Sequence, residues 1–584
     1  MTTWLILAAA AIYLVSYLTF GRGLERNVVR ADDSRKTPAH AMYDGVDYVP
    51  GHPLAVYGHH FASIAGAGPI TGPAIAIVWG WLPALLWVWF GNIIIGAVHD
   101  YLSVMASVRS EGKSVQWIAG KVMKPRTSWI MMVFIYLTLV LVVAAFIAVA
   151  CTNFVGNPGV PTSTFLFLVG AVVFGVLYYR LKMNFALATV IGLVLVAIAM
   201  WLGYVWPWHA SFHTWVIISA AYAIVASSLP VWLLLQPRDY LNAYVLFIGL
   251  GLGVIALLVS FKGVAIPAYT VWSAPAVGNV PSPFWPAIPL VIACGSLSGF
   301  HALVASGTTS KQLDKESHGL PVGYGGMLTE GLLATLVVVA MGAYAFPVLE
   351  QAADRVAGLG VSLAQLAGDR VYFAHNILKA AGPVGGALGL FTRSYGQLMG
   401  EVFGVSAAVG SLFAGLWVTA FVMTTLDTAT RLGRFTWQEM MEPLRKSNPG
   451  LHKVLADRWV ASGIVAVLAA WLAWDGAYTT VWPAFAGANQ MVAAVAMLTM
   501  AMWVVKVQRV SGGYRSAVVV PGLFLWVTVF AGVVWYMWAV PASLVIKAIF
   551  AAMAVLSLLL LVDFTASYRE ARIEAATGVA AGGR

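Results

Sequence analysis

Charge is the scarcest property of this chain. Only 10% of its 584 residues are Asp, Glu, Lys or Arg, against about 25% in a soluble domain, so an ordinary water-facing fold is excluded. Cysteine is nearly absent too. Cys151 and Cys294 both lie at or in apolar runs, which leaves no disulfide framework and no paired-cysteine metal motif. A cleavable leader is not expected. Met1-Thr2-Thr3 has no basic stretch, and the apolar run Trp4–Phe20 is followed directly by Arg22, Arg26 and Arg30. That pattern predicts a first helix retained in the membrane with its N-terminus outside.

What the chain has instead is apolar length. Hydrophobic residues make up 60% of it, and runs near the ~20 residues that cross a bilayer recur from end to end. They predict an all-α polytopic membrane protein of about 15 spans, near 3–20, 53–79, 82–108, 127–150, 162–179, 184–206, 214–235, 240–261, 287–306, 326–348, 403–426, 459–474, 478–504, 517–538 and 542–563. The net charge of +10 then belongs to cytoplasmic loops and not to a nucleic-acid footprint. With the N-terminus outside, the predicted inside loops hold 27 of the 33 Lys and Arg residues, which supports that alternation and a cytoplasmic C-terminus. Two outside connections are long: 263–286, which carries no charge, and 349–402, whose glycine-rich run GPVGGALGLF suits a re-entrant segment or an amphipathic lid.

Two spans cannot be clean helices. Residues 51–79 are interrupted at Gly66-Ala67-Gly68-Pro69 and again at Gly72-Pro73. Proline removes a backbone donor, and unpaired backbone groups persist in a membrane only where protein or a water-lined cavity satisfies them. Cys294-Gly295-Ser296-Leu297-Ser298-Gly299-Phe300-His301 interrupts the ninth span in the same way. By the charge count the two spans run in opposite directions. A pair of oppositely directed broken helices is the pattern of an inverted-repeat secondary transporter, with substrate between them. The plainer reading is close helix packing through small residues.

Several of these residues also carry a resemblance. Gly58-His59-His60-Phe61 through Pro69, Cys294 through His301 with Ala305–Gln312 behind it, Thr424-Thr425-Leu426-Asp427-Thr428-Ala429-Thr430-Arg431, and Phe485-Ala486-Gly487-Ala488-Asn489-Gln490 together resemble the motifs of the carbon starvation protein A (CstA) family, over about residues 25 to 510. The resemblance implies a LeuT-type core of two five-helix inverted repeats and bacterial uptake of pyruvate or peptides, driven by protons. It divides the chain into a peripheral helix and basic loop (1–52), a first repeat (53–206), an inserted helix pair with an outer loop (207–286), a second repeat with the outer segment 349–402 (287–506), and peripheral helices with a tail (507–584).

Ionisable and amide groups inside spans are the candidates for chemistry. His59, His60 and His301 stand at the breaks with Gly66, Gly68, Ser296 and Ser298, and are expected either to contact substrate or to be satisfied structurally. Asn489 and Gln490 either orient a carboxylate or bridge helices. Asp100, at the inner end of its span, is a proton relay, a gate residue or an interfacial charge paired with Arg109 or another inside-loop base. Asp427 is expected to pair with Arg431 four residues on as a latch or gate, while Thr424, Thr425 and Thr428 leave sodium coupling open. Glu330 reads as interfacial, and Asp475 as a turn residue. No metal or cofactor is expected, for want of acidic or thiol ligands beside the histidines. The function predicted is inner-membrane import of a small carboxylate such as pyruvate by proton symport during nutrient limitation. The alternatives are proton-coupled di- or tripeptide uptake and, more remotely, a redox subunit.

Overall fold

A computed structural model describes residues 1–577 other than 46, 230–232, 293 and 475–477; the predicted turn residue Asp475 lies outside the described residues. Helices dominate, as they must where lipid offers the backbone no hydrogen-bond partner. Among the described residues eleven are long and apolar enough to cross a membrane, and bent pairs raise the number to 13. The count is lower than the roughly 15 apolar runs for two local reasons. The run at 214–235 yields only the 17-residue helix Phe212–Ser228. Among the described residues of the run at 287–306, helix extends through Leu290 and resumes at Gly299.

Burial sorts the helices into layers. Val481–Lys506 and Glu316–Glu350 have 94% and 89% of their apolar windows buried, whereas Thr2–Val29 and Phe185–Val205 have 28%. The first two form the centre, enclosed by other helices. The other two form the rim, where lipid replaces protein. The broken spans lie against the centre: Gly68–Ala76 is buried at every residue.

The two long connections are both ordered. Within 263–286, strands Ser273–Val277 and Val280–Pro283 form an antiparallel hairpin. The adjoining loop ties down the end of the first broken span. Trp81 N–H donates to Pro267 O (3.2 Å) and Thr270 N–H to Trp79 O (3.2 Å), and between them Gly80 takes φ +100°, a conformation that favours glycine. In 349–402 the glycine-rich run turns at Gly385 and continues as the helix Gly386–Phe403. Its apolar face, with Leu390, Phe391, Tyr395 and Leu398, is buried in the core, and Tyr395 donates to Gly249 O at 2.8 Å.

Candidate functional site at the crossing of two broken helices

The first broken span bends by 43° between Val56–Ile64 and Gly68–Trp79. Pro69 cannot donate to the helical ladder, so the first half ends at Ile64 and a new helix starts at Gly68. The second break has Gly295 at φ +80° and restarts as Gly299–Gly307. The two breaks touch. A Cβ on Gly68 would overlap the Cys294 side chain, and one on Gly72 would meet the backbone of Val291 and Ile292. The N-terminus of one half-helix, the positive end of its dipole, therefore meets the second break, and the other half-helix starts five residues beyond that contact, at Gly299. The predicted amides hold it together. Gln490 Nε2 donates to Ile292 O (3.1 Å) and Leu297 O (3.0 Å). Asn489 Oδ1 accepts from Phe300 N–H (2.9 Å), and its Nδ2 donates to Ser298 Oγ (3.0 Å).

Beside the crossing lies a cluster of acids and histidines. Asp100 binds His99 Nδ1 through Oδ1 and His301 Nδ1 through Oδ2, both at 2.8 Å. The far nitrogen of His301, Nε2, is 3.5 Å from Glu330 Oε2, and Asp100, His301 and Glu330 are all fully buried. Asp100 is thus neither interfacial nor paired with Arg109. Nine residues of helix put Arg109 about 13.5 Å further along, where it grips Glu316 with two bonds of 2.6 and 2.8 Å. Glu330 is not interfacial either. Its span starts at Glu316, ten residues earlier than the apolar run suggests, which carries Glu330 into the interior. Asn92, which sequence reasoning passed over, donates to both Gly295 O (2.9 Å) and Met327 O (2.7 Å). It clamps the second break to the Glu330 helix.

A second buried cluster is ionic. Asp427 bonds to the Arg238 guanidinium and accepts from Tyr222 Oη at 2.8 Å. Arg238 also binds Asp239 (2.7 Å). The expected Asp427–Arg431 pair does not form, because Arg238 reaches Asp427 from another helix. Arg431 turns instead to the carbonyls of Ala226 (3.4 Å) and Leu229 (2.8 Å). There, with Arg434 on Ser227 O (3.0 Å), it caps the C-terminus of Phe212–Ser228. One signal for Arg238 was available: it and Asp239 are the only charged residues between Lys182 and Lys262.

The remaining candidates lie around these two clusters. His60 is buried, with Nδ1 bonded to Thr309 Oγ1 at 2.8 Å. His59 is half-buried, its Nε2 has no partner, and it stands within electrostatic reach of Asp239. A Cβ on Gly66 would meet Thr425 Oγ1 at 2.8 Å. Ser296 Oγ and Thr425 Oγ1 make no hydrogen bond. Thr424 accepts from Asn242 Nδ2 (3.1 Å), and Thr428 is 3.5 Å from Asp427 Oδ1. Gly68, Ser296, Ser298, His301, Asn489, Gln490 and Asp100 thus gather at the crossing, whereas Asp427 and Thr428 belong to the ionic cluster and Arg431 caps the neighbouring helix.

Comparison with known proteins identifies relatives of the chain. The chain is 31% identical over 554 residues to the peptide transporter CstA of Bacillus subtilis, covering 90% of this chain and 89% of that one. It is 31% identical to the peptide transporter CstA of Escherichia coli, covering 87% and 77%, and 30% identical to the pyruvate/proton symporter BtsT of the same organism, covering 89% and 80%. Among solved structures, the Eremococcus coleocola manganese transporter aligns over 89% of this chain and 98% of its own, with 13% identity and a TM-score of 0.43. The family model described as carbon starvation protein CstA matches residues 1–532, and this multi-pass membrane transporter belongs to that family.

Proposed function

We propose that the protein imports a small carboxylate of the pyruvate type across the bacterial inner membrane, together with a proton, with its N-terminus outside and its C-terminus cytoplasmic. The observation that carries the reading is the contact of the two helix breaks, Gly68 against Cys294. A half-helix N-terminus set against the second break, with the other half-helix starting five residues on, would offer an anion backbone donors and favourable dipole ends. Alternating access would then rock one broken span against the other, as in inverted-repeat carriers. The proposal assigns the proton to His59, whose Nε2 is buried without a partner and whose ring lies within electrostatic reach of Asp239. His60, bonded to Thr309, is assigned to holding the segment after the second half-helix.

Labelled pyruvate uptake into proteoliposomes under an imposed pH gradient is the direct test. Absence of uptake in protein shown to be folded would sink the reading. His59→Ala is expected to abolish gradient-driven accumulation while leaving pyruvate counterflow intact, and accumulation at the wild-type level would remove His59 from the coupling role. The peptide-transporter relatives favour a second reading, a di- or tripeptide substrate at the same crossing. Competition by such peptides without competition by short carboxylates would select it.

A further inference from the structure

Three side chains at the second break carry ligand chemistry that the transport reading leaves unused. Sγ of Cys294, a ring nitrogen of His301 and a carboxylate oxygen of Glu330 lie within 4.8 Å of one another, and all three residues are buried. His301 Nε2 and both Glu330 oxygens make no hydrogen bond, a costly state for buried polar atoms. The 3.5 Å between Nε2 and Oε2 is close to the edge of about 3.4 Å set by a tetrahedral ion with ligands about 2.1 Å away. We propose that Cys294, His301 and Glu330 bind one divalent cation of the zinc type.

The surroundings are those a metal site requires. His301 Nδ1 is held by Asp100 Oδ2 at 2.8 Å. That bond directs the Nε2 lone pair at the cluster, the usual carboxylate–histidine–metal arrangement. Asn92 fixes the Cys294–Gly295 turn against the Glu330 helix through its two carbonyl contacts, and Asn489 Nδ2 lies 3.9 Å from Cys294 Sγ, placed to stabilise a thiolate. A thiolate and a carboxylate would neutralise a divalent ion where bare charge is expensive. Sulfur and imidazole ligands select zinc-like ions over magnesium or calcium. The cation would fasten the broken ninth span to Glu316–Glu350. The inference does not depend on which substrate is carried.

The test uses the full chain, purified in detergent under reducing conditions, stripped with a chelator and titrated with Co²⁺ as a spectroscopic stand-in for Zn²⁺. The expected result is about one ion per chain with a thiolate-to-cobalt charge-transfer band, displaced by Zn²⁺. Because the chain has only two cysteines, the band can be assigned: it is lost in Cys294→Ser and retained in Cys151→Ser. Asp100→Asn, which removes the carboxylate that orients His301 and also binds His99, should weaken Co²⁺ about 10–100-fold, and Glu330→Gln at least as much. Wild-type protein that elutes as a folded monodisperse species yet binds no Co²⁺ or Zn²⁺ overturns the proposal without any variant. So does a band that survives Cys294→Ser.

Discussion

The two buried clusters are built from similar residues and do opposite things with them. Around Arg238, every charge meets another: the guanidinium bonds to Asp427 and Asp239, and Tyr222 completes the shell. Around His301, one side of the ring is satisfied by Asp100, while Nε2 and both oxygens of Glu330 face each other without a hydrogen bond. A closed network of permanent charges fastens helices and has no capacity left for a ligand. A network that ends in unsatisfied donors and acceptors does have that capacity. The Arg238 cluster is therefore read as a fastener and the His301 cluster as a binding centre, and single substitutions can break or sharpen the contrast.

The largest effect is expected at the fastener. Arg238→Gln leaves Asp427 buried opposite a neutral amide, and removing one partner of a buried pair costs about 3–5 kcal/mol. Thermal unfolding in detergent should register it, and the double variant Arg238→Met/Asp427→Leu should recover most of the loss. A single variant as stable as the wild type would show that the cluster is hydrated and fastens nothing. In chelator-stripped protein Glu330→Gln, by contrast, removes a charge that meets only His301, at 3.5 Å and without a hydrogen bond, and should cost less stability than Arg238→Gln. A loss comparable to that of Arg238→Gln would make the two clusters alike and end the comparison.

Next comes the contact between the breaks. Gly68→Ala forces a methyl group into Cys294 and should cost about 1–3 kcal/mol as overpacking, with transport falling further because the crossing itself is pushed apart. Gly307→Ala is the matched control: nothing lies within 4 Å of its Cβ position, so its effect on thermal stability should stay within about 0.5 kcal/mol. Equal melting behaviour of the two variants would mean that the close approach is not maintained in the working protein.

The apolar runs and both helix breaks could be read from the sequence because they are properties of contiguous residues. Length against bilayer thickness locates a span, and Gly-Pro spacing locates an interruption. Partnership across helices could not be read in the same way. Asp427 looked paired with Arg431 because four residues put them on one face, but the guanidinium that reaches it comes from residue 238, nearly 200 positions away. Glu330 looked interfacial because the apolar run begins just before it, whereas the helix begins at Glu316 on residues whose polarity hides their helicity. Cys294 and His301 are seven positions apart and could have been linked by the nonhelical turn at Gly295. Glu330 could not, because only the fold brings it there.

A smaller effect than that at the crossing should come from His60, and it separates a bridge from a coupling group. Thr309→Val removes the hydroxyl bonded to His60 Nδ1 while conserving shape. The loss of one neutral hydrogen bond should cost about 0.5–1.5 kcal/mol. If His60 only joins its half-helix to the segment after Gly299–Gly307, then Thr309→Val and His60→Gln should lower the melting temperature by similar amounts and leave the ratio of gradient-driven uptake to counterflow unchanged. His59→Ala should instead change that ratio at nearly constant stability, because the His59 Nε2 has no bond to lose. A shift of the ratio in Thr309→Val would move the proton from His59 to His60. The bonded histidine would then carry the coupling, and the unsatisfied one would be structural.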